Sequence, residues 1–166
     1  MININYNEKE IQFLVQAIKG EESCYQWLLN NNFRELAALY DYLMEDNSEA
    51  MNWLIFHKYH IIAAFLCAID NHSKSFVFLG QCKAFEWAAT IGIIRNGKVD
   101  NGYQWLKKSN RIHFINLGLA IKSTIYNRRS GFGGIGYGSN FGSSGSSGFG
   151  GYGGGSFGGG GAGGSW

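Results

Sequence analysis

Chemistry in a chain begins with the side chains that can bind a metal, move a proton or hold an anion. Three histidines fall close together, His57, His60 and His72. His57 and His60 are three apart, a spacing that can share a helix face. A zinc site needs four ligands, or three plus water, usually with cysteine or carboxylate help. The cysteines, Cys24, Cys67 and Cys82, have no metal-ligand spacing. They are read as buried free thiols, since an odd count at irregular spacing does not make a disulfide framework. Glu35, Asp41, Glu45 and Asp46 read as a solvated helix face. The sequence holds no Gly-x-Ser-x-Gly elbow, P-loop or His-Glu-x-x-His. No metal or cofactor is expected, and the chain is not expected to be an enzyme.

Binding chemistry is better represented. Lys107, Lys108, Arg111, His113, Lys122, Arg128 and Arg129 form a basic cluster near the end of the charged region. It reads either as a solvated terminal face or as a surface for nucleic acid, anionic lipid or an acidic protein. Beyond it, Phe132, Tyr137, Phe141, Phe149, Tyr152, Phe157 and Trp166 are spread through a stretch dominated by Gly and Ser. That stretch is either a flexible tail or an aromatic "sticker" segment that associates with itself or a partner.

The elements that must position these groups are written in a repeated pattern. Trp27, Trp53, Phe78 and Trp105 are 26, 25 and 27 residues apart, and each is followed by Leu. Leu36, Ile62, Trp87 and Phe114 stand nine residues after them, and Leu43, Ile69, Ile94 and Ile121 sixteen after. The Trp/Phe row and the row nine residues later are the expected core anchors. An apolar skeleton with a period in the twenties marks tandem supersecondary units stacked as a solenoid. In the second unit the spacing predicts a helix over Glu49–His57, a tight turn near Lys58 and a helix over Tyr59–Ile69. Ser73 or Ser75 is placed to cap the next helix. Paired alanines (Ala37–Ala38, Ala63–Ala64, Ala88–Ala89) recur in the second helices and would admit a close neighbour. Ile11, Leu14 and Ile18 fit a preceding half-unit, a capping helix over Glu8–Lys19. Gly20, Gly97 and Gly102 read as loop residues, with Arg95–Gly102 a polar loop. The expected fold is all-α, a short tandem αα-repeat domain over residues 1–129 followed by a low-complexity tail over 130–166.

The unit resembles an ankyrin repeat without its β-hairpin, a likeness of architecture that implies nothing about function. The final "GGGSFGGGGAGGSW" is similar to the C-termini of bacterial TPM-domain proteins and related glycine-tailed membrane proteins. The TPM domain and membrane span of that family are not in this sequence. The resemblance implies a bacterial protein sharing a tail device recognised by a common partner, and no shared activity.

Charge is split along the chain. Residues 1–50 hold three basic residues against nine acidic ones, and residues 51–129 hold eleven against three. In a linear solenoid this becomes a dipole along the axis, which would let copies meet head to tail. Residues 1–129 carry all 26 charges, whereas 130–166 carry 19 of the 25 glycines and no charge. Proline is absent, which suits closely spaced helices. The start, "MININYNEKE", has neither the basic region nor the apolar run of a signal peptide, and the most apolar stretch is shorter than the roughly 20 residues of a bilayer span. The sequence therefore points to a cytoplasmic, non-enzymatic module for protein interaction or self-assembly, with the tail as a docking segment. The alternative is a nucleic-acid or anionic-surface binder using the last unit and the tail.

Overall fold

The computed structural model describes residues 6–130, apart from the side chains of 126 and 128–130. The tail aromatics, the TPM-like C-terminus and any role of residues 131–166 lie outside the described residues. Among those described, the fold is all-helical with no strand: α1 Glu8–Ile18, α2 Glu22–Asn30, α3 Arg34–Glu45, α4 Ser48–Phe56, α5 His60–Ile69, α6 Ser73–Gln81, α7 Phe85–Asn96, α8 Asn101–Lys108 and α9 Ile112–Ser130. No helix of the described residues is long and apolar enough to cross a membrane.

The same turn closes each of four helix pairs. Five residues after Trp27, Trp53, Phe78 and Trp105 the backbone is left-handed, at Asn32, Lys58, Lys83 and Asn110 (φ 64°, 64°, 57° and 53°). The next amide then donates back to the Leu that follows each Trp or Phe: Phe33 to Leu28 (2.9 Å), Tyr59 to Leu54 (2.9 Å), Ala84 to Leu79 (2.9 Å), and Arg111 to Leu106 (2.8 Å). This is the reverse bond that ends a helix with one left-handed residue, and it satisfies carbonyls that the helix itself cannot. Asn is among the non-glycine residues best suited to this conformation, whereas Lys is not, so the geometry is imposed by the packing on either side.

Helix starts are less uniform. Asn47 accepts from the Glu49 amide at 3.0 Å and Asp100 from the Gly102 amide at 2.7 Å, capping α4 and α8. The serine cap expected for α6 is not made: His72 holds the cap position, and its Nδ1 pairs with the Ser75 hydroxyl at 2.7 Å. The Arg95–Gly102 segment is a 3-10 turn over Gly97–Val99, and Gly102 belongs to α8 rather than to a loop.

The helices do not form an open stack. α1 contacts α3, α3 contacts α5, α5 contacts α7, α7 contacts α9, and α9 returns to contact α1. Each even helix bridges two consecutive odd ones. The odd helices thus close a circuit, so the two separate ends that head-to-tail stacking requires are in contact with each other. The reason lies in the core. Phe65, Trp87 and Phe114 pack edge to face, with ring centroids 4.8 and 5.2 Å apart. Tyr6, just before α1, places its ring 5.9 Å from Trp87 and its hydroxyl on Glu35 of α3. Burying this aromatic cluster draws α1 towards helices distant in sequence.

Glycine sets the closest approaches. A Cβ on Gly118 of α9 would lie 2.9 Å from Cγ2 of Ile93 in α7, and one on Gly102 would lie 2.7 Å from the Ala89 carbonyl oxygen. Ala37, Ala38, Ala63 and Ala64 are buried, whereas Ala88 and Ala89 are half-buried.

Candidate interaction surface

Position within the repeated pattern decides what each functional side chain can reach. Leu28, Leu54, Leu79 and Leu106 are fully buried, as are Leu36 and Ile62, and Trp87 and Phe114 nearly so. The Trp/Phe row expected beside them as core is not core. Trp27, Trp53 and Phe78 are half-buried and Trp105 is 42% exposed. One residue is 100° of helix, so once Leu points into the seam the preceding aromatic must lie along the rim. In the first two pairs it stacks there on the residue just before the next helix. Trp27 lies flat on Phe33 (5.7 Å) and on Phe13 of α1 (4.0 Å). Trp53 lies flat on Tyr59 (5.6 Å) and His57 (4.1 Å). In the fourth pair that place is taken by Arg111, and Trp105 instead meets Phe85 edge-on at 6.4 Å.

The result is an exposed aromatic pair beside exposed cations. Phe85 opens α7 and is 50% exposed. Ile112, opening α9, is exposed as well. Lys107 and Lys108 end α8, and Arg111 follows in the turn, its Nε 3.6 Å from Glu86 Oε1. The predicted basic cluster is divided by the fold. Lys122 lies eleven residues beyond Arg111, about 16 Å along α9, and donates to the Ile94 and Arg95 carbonyls at 3.2 Å each. His113 is buried, and burial lowers its pKa against the opposing pull of Glu8. The side chains of Arg128 and Arg129 lie outside the description.

Further exposed apolar side chains sit on the outer helices: Ile55 and Phe56 (67% exposed) on α4, Phe76 and Val77 (56%) on α6. The pattern of core positions does not reveal them. Their signal is the uninterrupted runs Trp53–Phe56 and Phe76–Leu79, because four consecutive residues wrap all sides of a helix and cannot all face inward.

Two carboxylates expected in solvent are buried. Glu35 accepts from the Tyr6 hydroxyl at 3.0 Å and Asp41 from the Tyr25 hydroxyl at 3.2 Å. Both lie where α3 meets its neighbours, while Glu45 and Asp46 are exposed as expected. Burial raises the Asp41 pKa to about 7; the Tyr25 hydrogen bond opposes this, and Glu45 and Glu22 add to it. Burial also raises Glu35. Each is held by a tyrosine hydroxyl.

The thiols are half-buried and free rather than fully buried, and burial raises Cys67 and Cys82. His57 Nδ1 lies 2.9 Å from the Trp53 carbonyl. Among the described residues no group of three His, Cys, Asp or Glu side chains is arranged to hold a metal ion. Compared with known protein families, curated proteins and solved structures, the chain matches none.

Proposed function

We propose that the helical domain is a protein-docking module built from four tandem copies of one two-helix unit, which contacts its partner through the outer row of helices. The observation that carries this reading is the exposure of large apolar side chains on and beside that row: Phe56 on α4, Val77 on α6 and Trp105 on α8, with Phe85 at the start of α7. Exposed apolar clusters rimmed by charge mark contact surfaces. Trp and Arg supply much of the energy when such surfaces are covered. The four equivalent turns support the repeat. The Gly-rich tail, read from composition alone, would add further aromatic contacts.

The alternative is nucleic-acid binding at the α8 edge. It is favoured by the Phe85–Trp105 pair standing beside Lys107, Lys108 and Arg111, since stacking rings with phosphate-neutralising cations suit single strands. One experiment separates the two. The full chain and its Phe85→Ser/Trp105→Ala double variant are used as bait in native-cell extract with and without nuclease. A protein captured by the parent regardless of nuclease, and lost by the variant, supports docking. Capture abolished by nuclease supports the alternative. Equal capture by parent and variant refutes both uses of this edge.

A further inference from the structure

A second feature lies away from the α8 edge, at the C-terminal ends of the odd helices. A cleft of about 810 Å³ opens there, within the size range of small-molecule sites. Leu43, Ile69 and Ile94, which close the apolar stripes of α3, α5 and α7, line it together with Ile125. Ile125 comes from the part of α9 beyond Ile121, so the extra length of this helix supplies one wall.

The polar lining is charged with both signs. Arg95 donates through Nη2 to the Ala68 carbonyl at 2.9 Å, and Lys122 donates to the Ile94 and Arg95 carbonyls. These contacts hold both cations at helix C-termini, where the negative pole favours them. They use one of the guanidinium's five N–H groups and two of the ammonium's three. Asp70 caps α5 and accepts from the Tyr42 hydroxyl through Oδ2 at 3.1 Å, which leaves Oδ1 open. Among the described residues no ion pair within 4.0 Å joins Asp70 to Arg95 or Lys122. Asp46 lines the cleft as well, and Asp70 shares it with the two cations without an ion pair to either.

We propose that this cleft binds a small zwitterion with an apolar body, a free amino acid or a short peptide with both termini charged. Its carboxylate meets the remaining donors of Arg95 and Lys122. Its ammonium meets Asp70, reinforced by the negative end of α5. Its side chains lie on Leu43, Ile69, Ile94 and Ile125. A ligand with one charge would engage only one pole of the cleft and forgo the contacts of the other, whose exposed groups keep water as their partner.

The test is a titration of the isotope-labelled full chain, followed by amide chemical shifts, with L-leucyl-L-leucine as probe. Its N-acetylated and C-amidated forms are the single-charge controls. The dipeptide is expected to give saturable shifts at Leu43, Ile69, Asp70, Ile94 and Lys122. Each capped form is expected to bind about tenfold more weakly, the equivalent of one charge-assisted hydrogen bond. Asp70→Asn keeps an acceptor for Tyr42, hence the fold, and should lose the same factor for the dipeptide while binding the N-acetylated form unchanged. A circular-dichroism melt of Asp70→Asn separates lost binding from lost folding; should it unfold, Lys122→Met, which removes one of the two cations of the other pole, replaces it. Absence of saturable shifts at these residues overturns the proposal, as does discrimination between dipeptide and capped forms below that factor.

Discussion

Substituting alanine for glycine gives opposite signs at two helical positions if the α7–α9 approach is as close as described. Gly80 is exposed near the end of α6, and a Cβ added there meets nothing within 4 Å. Gly80→Ala should therefore register only the conformational gain, about 0.5–1 kcal/mol of added stability. Gly118 is a helical glycine with the same intrinsic gain available. Its added Cβ would stand 2.9 Å from Ile93 Cγ2, 3.0 Å from Ile93 Cβ and 3.3 Å from Thr90 Cγ2. Ile93 and Thr90 are both fully buried, so neither can swing into solvent. Thr90 is further tied by its hydroxyl, which donates to the Glu86 carbonyl at 2.7 Å. Overpacking of this kind costs about 1–3 kcal/mol. Subtracting the propensity gain leaves Gly118→Ala less stable by up to about 2 kcal/mol. For a domain of this size each kcal/mol moves the melting temperature by about 4 °C. Far-UV circular dichroism melts and urea unfolding of the two variants beside the parent measure this directly. If Gly118→Ala melts higher than the parent, as Gly80→Ala should, the helices are not in contact there and the closed circuit loses its tightest joint.

Three further outcomes follow. Leu54→Ala should cost about 2–5 kcal/mol, whereas Trp105→Ala, being 42% exposed, should cost far less; equal losses in urea would overturn the inward-Leu, rim-Trp arrangement. Asp41 is held above its ordinary value of 3.8, at about 7, so the fold favours its protonated form. Its contribution is complete below the unfolded value and is lost as pH rises through about 7, with a slope of at most about 1.4 kcal/mol per pH unit. Asp41→Asn should remove that slope from a stability profile between pH 4 and 7, and an unchanged slope would show that Asp41 is not its source. Deleting residues 1–19 removes a helix that α2, α3 and α9 all contact and should abolish cooperative unfolding; a variant still melting in one sharp transition would mean that α1 is peripheral.

Helix positions were legible because the apolar spacing repeats, and the expected helices of the second unit match α4 and α5 to within one residue at each end. The turn at Lys58 was legible for the same reason. Three things were not. Which of two adjacent apolar residues faces inward, Trp53 or Leu54, depends on a rotation of 100° that spacing alone does not fix. The burial of Asp41 depends on Tyr25, sixteen residues away on another helix. Contact between α1 and α9 is the longest-range feature, and a nearest-neighbour repeat gives no local signal for it. At the candidate surface, Lys107, Lys108 and Arg111 were visible as a cluster, but their separation from Lys122 required the course of α9. The partners of Arg95 and Lys122 are backbone carbonyls, which leave no trace in residue type.

Closure changes what the charge asymmetry can do. In a linear stack the acidic first third and the basic remainder would sit at opposite ends, and two copies could join through them. In a closed circuit the acidic helices α1 and α3 and the basic region of α7 to α9 become neighbouring arcs, joined where α1 meets α9. Glu8 already acts on His113 across that seam, and Glu86 meets Arg111 one joint earlier. Part of the charge is therefore spent within the molecule. Two local groups of cations stand out among the rest: two lysines and an arginine beside Trp105 at one end of α9, and Arg95 with the half-buried Lys122 in a cleft further along it. Such an arrangement favours two separate, chemically different contacts over one polar axis of assembly. That is why the docking edge and the zwitterion cleft are read as independent sites, and why a substitution in one should leave the other's binding unaltered.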